Sequence, residues 1–131
     1  MKSIKIISFF LCVLLSSCTK IEGEGGSSTI KGSIWVEDWN ATFTVLEAEY
    51  SALNEDIYII YGNHTSYDDK TTTNYKGEFE FKYLRQGNYK IYVFSKDKTM
   101  QSASGIIGIT KDVNISEDGK AINVDKITIY K

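Results

Sequence analysis

From Thr29 onward the apolar side chains recur with a period of two, the spacing of a strand with one buried face, rather than the 3.6 of a helix. Phe79, Phe81 and Tyr83 alternate with Glu78, Glu80 and Lys82, which predicts aromatic rings on one face and charges on the other. Ile30, Gly32, Ile34 and Val36 alternate likewise with Lys31, Ser33, Trp35 and Glu37, and Tyr89, Ile91 and Val93 with Lys90, Tyr92 and Phe94. Asp56 to Tyr61 is apolar on both faces, as in a central strand covered on both sides. Lys76-Gly77, Gln86-Gly87-Asn88 and Asp118-Gly119 supply residues that tolerate positive φ and predict tight hairpins, the last joining 111–115 to 121–130. Within that final run the apolar phase shifts from Ile122 and Val124 to Ile127 and Ile129, and one extra residue, a bulge, restores the facing. Residues 37–53 mix helical spacing, from Thr44 to Leu53, with strand-like alternation from Ala41 to Leu46, and lean towards strand. About seven short strands in about 100 residues predict an all-β fold, an antiparallel β-sandwich.

The start of the chain reads differently. Lys2 and Lys5 precede the apolar run Ile6 to Leu15, which fits a secretory signal and is shorter than the ~20 residues of a permanent membrane span. The tetrad Leu15-Ser16-Ser17-Cys18 resembles the lipobox of bacterial lipoproteins, in which the signal is cut before the Cys and the Cys is acylated. That resemblance implies a signal peptide over 1–17 and a membrane partner reached through the lipid anchor on Cys18. Two or three acyl chains, at about 0.8 kcal/mol per buried methylene, make such anchoring effectively permanent. Residues 18–28, rich in Gly and Ser, read as the lipidated Cys and a flexible tether, and 29–131 as the domain. The Lys and Glu residues after Cys18 are similar to export signals of Bacteroidetes lipoproteins, which implies an outer-membrane lipoprotein displayed at the cell surface.

A second resemblance covers most of Thr29 to Ser95. The stretch Thr73 to Val93, with its Gly-containing turn, alternating strand, Leu84, two linker residues, Gly87 and Tyr89, resembles the signature of carboxypeptidase regulatory-like domains. These belong to the transthyretin-like, or prealbumin-like, β-sandwiches. The resemblance implies that Leu84 plugs the end of the sandwich, Gly87 makes the turn and Tyr89 opens the return strand facing the core. It also implies a non-enzymatic binding or interaction module, since such domains commonly accompany surface binding, transport and adhesion. The family usually has Pro before the turn Gly, whereas this chain has Arg85-Gln86 and no Pro.

Composition narrows the chemistry. The chain of 131 residues holds 15 basic and 17 acidic side chains, which lacks the basic face of a nucleic-acid binder. Loss of 1–17 removes Lys2 and Lys5 and leaves 13 basic against 17 acidic, a more acidic domain. Cys12 leaves with the signal and Cys18 becomes the anchor, so the domain has no thiol for a disulfide, nucleophile or metal. No metal or cofactor is expected, for no Asp-x-Asp-x-Asp-Gly calcium loop, phosphate loop or dinucleotide fingerprint occurs. The acidic pairs Glu37-Asp38, Glu55-Asp56, Asp68-Asp69 and Glu117-Asp118 fall in loops or at strand ends and read as solvated charges. His64, Ser66 and Asp68 share one loop, yet a triad is defined by geometry, so a small surface hydrolase is the weaker alternative. Lys31, Asn123 and Glu80 are the residue types of the Lys-Asn isopeptide crosslinks of Gram-positive sandwiches, but their strand positions predict that they face solvent.

The aromatic residues carry more. Fifteen rings remain once Phe9 and Phe10 are removed, too many for one face of one core. Trp35, Trp39, Tyr58 and Tyr92 are the candidate partner surface, for an envelope protein or, alternatively, a glycan stacked on exposed Trp and Tyr.

Overall fold

The alternation at Ile30 to Val36 belongs to one long strand, β1 (Glu24–Trp39), around which half of the protein is built. In the computed structural model, which describes residues 21–131, the remaining strands are β2 (Leu46–Ser51), β3 (Asp56–Tyr61), β4 (Asp69–Thr72), β5 (Glu78–Leu84), β6 (Gly87–Lys96), β7 (Ile106–Ile115), β8 (Ala121–Asn123) and β9 (Ile127–Tyr130). No helix occurs among the described residues. The expected signal peptide, Cys18 and the first residues of the tether lie outside them.

Two sheets form. β1 pairs antiparallel with β5 along its first half and with β2 along its second, while β8 and then β9 run parallel to it. The other sheet has the order β4-β3-β6-β7 and is antiparallel throughout. Their apolar faces share one core, including Ile30, Ile34 and Val36 of β1, Ile57 and Ile59 of β3 and Ile91 and Val93 of β6, all buried. Leu84 and Tyr89 are buried in the same cluster, and the turn glycine Gly87 between them has φ of 139°.

Several sequence-based expectations need correction. There are nine described strands rather than about seven, and the parallel pairing of β8 and β9 departs from a purely antiparallel arrangement. The three glycine turns do adopt positive φ, at 73° for Gly77 and Gly119, but none closes a hairpin. Each instead carries the chain from one sheet to the other, and the hairpins are β1-β2, β3-β4 and β6-β7. Alternation reports which face is buried, whereas partner choice is non-local. Residues 37–53 complete β1, turn at 40–45 and form β2, with no helix.

Tyr83 leaves the core face that alternation assigns it. Its φ is 61° and its ring is 69% exposed. β1 advances two residues, Ser28 to Ile30, while β5 advances three, Leu84 to Phe81, so β5 bulges there and Leu84 enters the core instead. The phase shift in the final run has the same origin. Lys31 to Ile34 spans three steps on β1 against four from Asn123 to Ile127, one extra residue placed in the break between β8 and β9.

The tether is also shorter than its composition predicts. Glu24 to Ser28 are already in β1 and Ser28 is buried, its hydroxyl donating to the Glu117 carbonyl at 3.1 Å. Glycine here serves close approach: a Cβ on Gly26 would lie 2.1 Å from the Leu84 carbonyl oxygen.

Candidate binding face

In β3, Ile57 and Ile59 point into the core and Tyr58 and Ile60 out; in β6, Tyr89, Ile91 and Val93 point in and Tyr92 and Phe94 out. Antiparallel pairing sets Tyr58 directly opposite Tyr92. The two rings stack at 5.0 Å between centroids with only 13° between planes. Phe94 meets both edge-on at 5.6 Å, and Tyr67, from the β3-β4 loop, closes on Tyr58 at 4.9 Å. Each aromatic pair of this kind contributes about 0.5–1.5 kcal/mol beyond its area. Tyr67 and Phe94 nevertheless stay 49% and 48% exposed. Burial, with Tyr58 and Tyr67 adding to it, raises the Tyr92 hydroxyl above the ordinary phenol range.

The register places hydrogen-bonding side chains around these rings, with Lys70 opposite Tyr58, Thr110 opposite Tyr92 and Asp112 opposite Lys90. Gly108 lies opposite Phe94 with open space above it. The face can therefore offer flat apolar contact bordered by donors and acceptors.

The loop that delivers Tyr67 is held by the residues considered for catalysis. Asp68 Oδ2 accepts the Tyr61 N–H at 2.7 Å, and Oδ1 lies 2.8 Å from His64 Nδ1. The pair fastens the ends of the loop to each other and sits in the open, His64 being 58% exposed. Of the other acids, Glu55 pairs with Lys131 at 2.7 Å, Glu37 accepts the Trp39 indole N–H at 3.1 Å and Glu117 pairs with Lys120 at 3.4 Å. Among the described residues no group of three or more His, Cys, Asp or Glu is placed to hold a metal ion.

The structure divides the four candidate aromatics. Tyr58 and Tyr92 come together, whereas Trp35 and Trp39 lie on β1 in the other sheet. Each Trp carries a lysine: Lys126 Nζ stands 5.1 Å from the Trp35 ring centroid and Lys98 Nζ 3.8 Å from that of Trp39. A ligand stacking there would have to displace a cation–π contact. Tyr130 flanks Lys98 at 5.2 Å and meets Phe43 edge-on at 6.4 Å.

Sequence reasoning did not single out Tyr67 and Phe94 as members of the face. Phe94 shares the parity of Tyr92 and could have been found. Tyr67 lies in a loop, where periodicity carries no signal. Asp97 was also missed. It is buried, and accepts from Thr99 N–H and Oγ–H, Gln101 N–H and Ser102 N–H at 2.6–2.9 Å, folding the 97–105 loop. The Thr99 hydroxyl above all, then the backbone donors, holds its carboxyl below the usual range.

An open cleft of about 880 Å³ lies over Lys31, Glu80 and Asn123. The register sets Lys31 between Glu80 on β5 and Asn123 on β8, yet all three are exposed and Glu80 pairs with Lys82 at 3.1 Å. A carboxyl kept neutral by burial, which amide formation between Lys and Asn requires, is not what this arrangement supplies.

The fold and this face define an all-β protein of two antiparallel-rich sheets with an aromatic outer surface. No protein-family model matches the sequence, and no curated protein matches it either. Among solved structures, a suggested carbohydrate-binding protein from Pseudomonas aeruginosa aligns over 83% of this chain and 91% of its own, with 17% identity and a TM-score of 0.46. (S)-allantoin synthase aligns over 81% of this chain and 43% of its own, with 12% identity and a TM-score of 0.42. Neither likeness decides what this chain binds.

Proposed function

We propose that the protein is an outer-membrane lipoprotein, anchored through Cys18 and displayed at the cell surface, whose domain binds a partner rather than catalysing a reaction. The domain is a transthyretin-like sandwich of the carboxypeptidase regulatory-like kind, a reading supported by the buried Leu84, the positive-φ Gly87 and the buried Tyr89 in the order of that signature. The observation that carries the functional reading is the cluster of Tyr58, Tyr67, Tyr92 and Phe94, because it leaves two large rings half exposed, Phe94 on the sheet and Tyr67 on the loop folded against it. Exposed aromatic clusters of this kind favour partner surfaces.

A glycan is the second reading, favoured by the side chains of Lys70, Thr110 and Asp112 that border the rings. The stacked faces of Tyr58 and Tyr92 cover each other, so a sugar would contact Tyr67 and Phe94. Calorimetric titration with envelope and plant polysaccharides, alongside capture of envelope proteins, tests both. Tyr67→Ala with Phe94→Ala should weaken whichever binding is found by tenfold or more. Unchanged binding in that double variant would exclude the face. Activity lost on Asp68→Ala and His64→Ala, with binding retained, would restore the hydrolase.

A further inference from the structure

Ile21 to Gly23, the first described residues, are docked along the end of the domain. Ile21 O accepts from Arg85 Nη1 at 3.5 Å, Glu22 Oε1 accepts the Asn88 N–H at 3.3 Å, and Gly23 O accepts the Arg85 N–H at 2.9 Å. Gly23 N–H donates to the Tyr89 hydroxyl at 2.9 Å, and that hydroxyl donates to Arg85 O at 2.7 Å. Glycine at 87 admits the Glu22 side chain, because a Cβ there would lie 2.2 Å from Glu22 Cγ.

Only Thr19 and Lys20 separate Cys18 from this docked strap. Three residue steps reach at most about 10 Å. Roughly 5–7 Å of that is taken up within the headgroup layer on one side of a bilayer. We infer, resting on the anchor proposed above, that the strap holds the domain end-on against the bilayer, with the end around Ile21, Asn63 and Arg85 on the lipid headgroups.

Topology fixes what points away. Beyond the fold at 24–28, where Glu24 and Ser28 both face Leu84, β1 runs from Ser28 to Trp39 for roughly 36 Å of extended chain, so Trp39, the 40–45 turn and the 97–105 loop, whose Lys98 stands on the Trp39 ring, lie at the remote end. β3 ends and β6 begins beside Glu22, and Lys98, just past β6, stands on the Trp39 ring, so the Tyr58–Tyr92 face stands upright beside the membrane, open from the side. The near end carries Glu22, Glu24, Asp68, Glu117 and Asp118 against Arg85 and Lys120, so it is net acidic. That end has no polybasic cluster to draw it to anionic headgroups, so the short tether and not charge sets the contact.

The test uses the full acylated chain purified from membranes and placed in phosphatidylcholine vesicles carrying a nitroxide headgroup lipid. Fluorophores are attached at Asn63→Cys, at the near end, or Ala103→Cys, at the remote end. Quenching should be several-fold stronger at 63 than at 103. Ten Gly and Ser residues inserted between Lys20 and Ile21, which leave the domain untouched, should erase the difference. Equal quenching at both sites of an acylated chain, or a difference that survives the insertion, overturns the orientation alone. A chain that has no acyl mass on Cys18 and does not float with vesicles overturns the anchor and the orientation together.

Discussion

Tyr89 joins the core to the edge of the molecule. Its ring is buried against the edge of Tyr61, at 5.7 Å, while its hydroxyl accepts from Gly23 and donates to Arg85. In Tyr89→Phe the Gly23 N–H and Arg85 carbonyl lose that partner, which should cost about 1–3 kcal/mol in urea unfolding and expose residues 21–26 to protease. Tyr61 reports the same region through pH. Burial first, then Asp69, Glu24 and Asp68, push its hydroxyl up to about 12, against about 10 in an unfolded chain. The unfolded chain therefore loses this proton first, so the contribution is intact below pH 10 and lost as pH rises through 12. Tyr61→Phe should accordingly shift alkaline unfolding to higher pH, and titration of the phenolate absorbance should lose its latest component. Asp97 works in the opposite sense. Its lowered carboxyl stabilises above the unfolded value near 3.9 and ceases to as pH falls through its folded value, so Asp97→Asn should flatten acid unfolding, followed by circular dichroism.

At the scale of elements, the β5 bulge decides which residue caps the core. Tyr83 takes a left-handed backbone conformation unfavourable to a residue with Cβ, for which Asn is better suited. Tyr83→Asn should raise stability by up to about 1 kcal/mol and Tyr83→Val should lower it, both read from urea midpoints. This bulge also marks how far the sequence could be read. Alternation identified the buried faces of β1 and β6, and most of β5, because facing is a local property of a strand; β3, whose apolar residues on both faces predict cover on both sides, buries only the face of Ile57 and Ile59. Alternation could not tell that Gly77, Gly87 and Gly119 cross between sheets, since the partner of each strand lies far along the chain. Gly23 to Ser28 read as a linker because composition cannot distinguish a glycine that is flexible from one that admits a neighbouring backbone. The site was half legible: Tyr92 follows from parity and Tyr58 from the surplus of rings over one core, whereas Tyr67 depends on a loop tied by His64 and Asp68.

For the whole molecule, the two sheets carry the aromatic face on one side, and in the proposal above the strap sets the domain's attitude and the rings supply the contact. The acidic pairs and His64 are spent on loops and strand ends, so the chemistry that most distinguishes this surface is its rings. The central claim is that a partner in the envelope meets the Tyr58–Tyr92 face. Its most direct test is photo-crosslinking in intact cells with a benzophenone amino acid placed at Phe94 or at Glu47, an exposed position on β2 in the other sheet. The account predicts a discrete adduct, protein or glycan, from position 94 and none from position 47. Adducts from position 47 alone, or the same adducts from both, would contradict it.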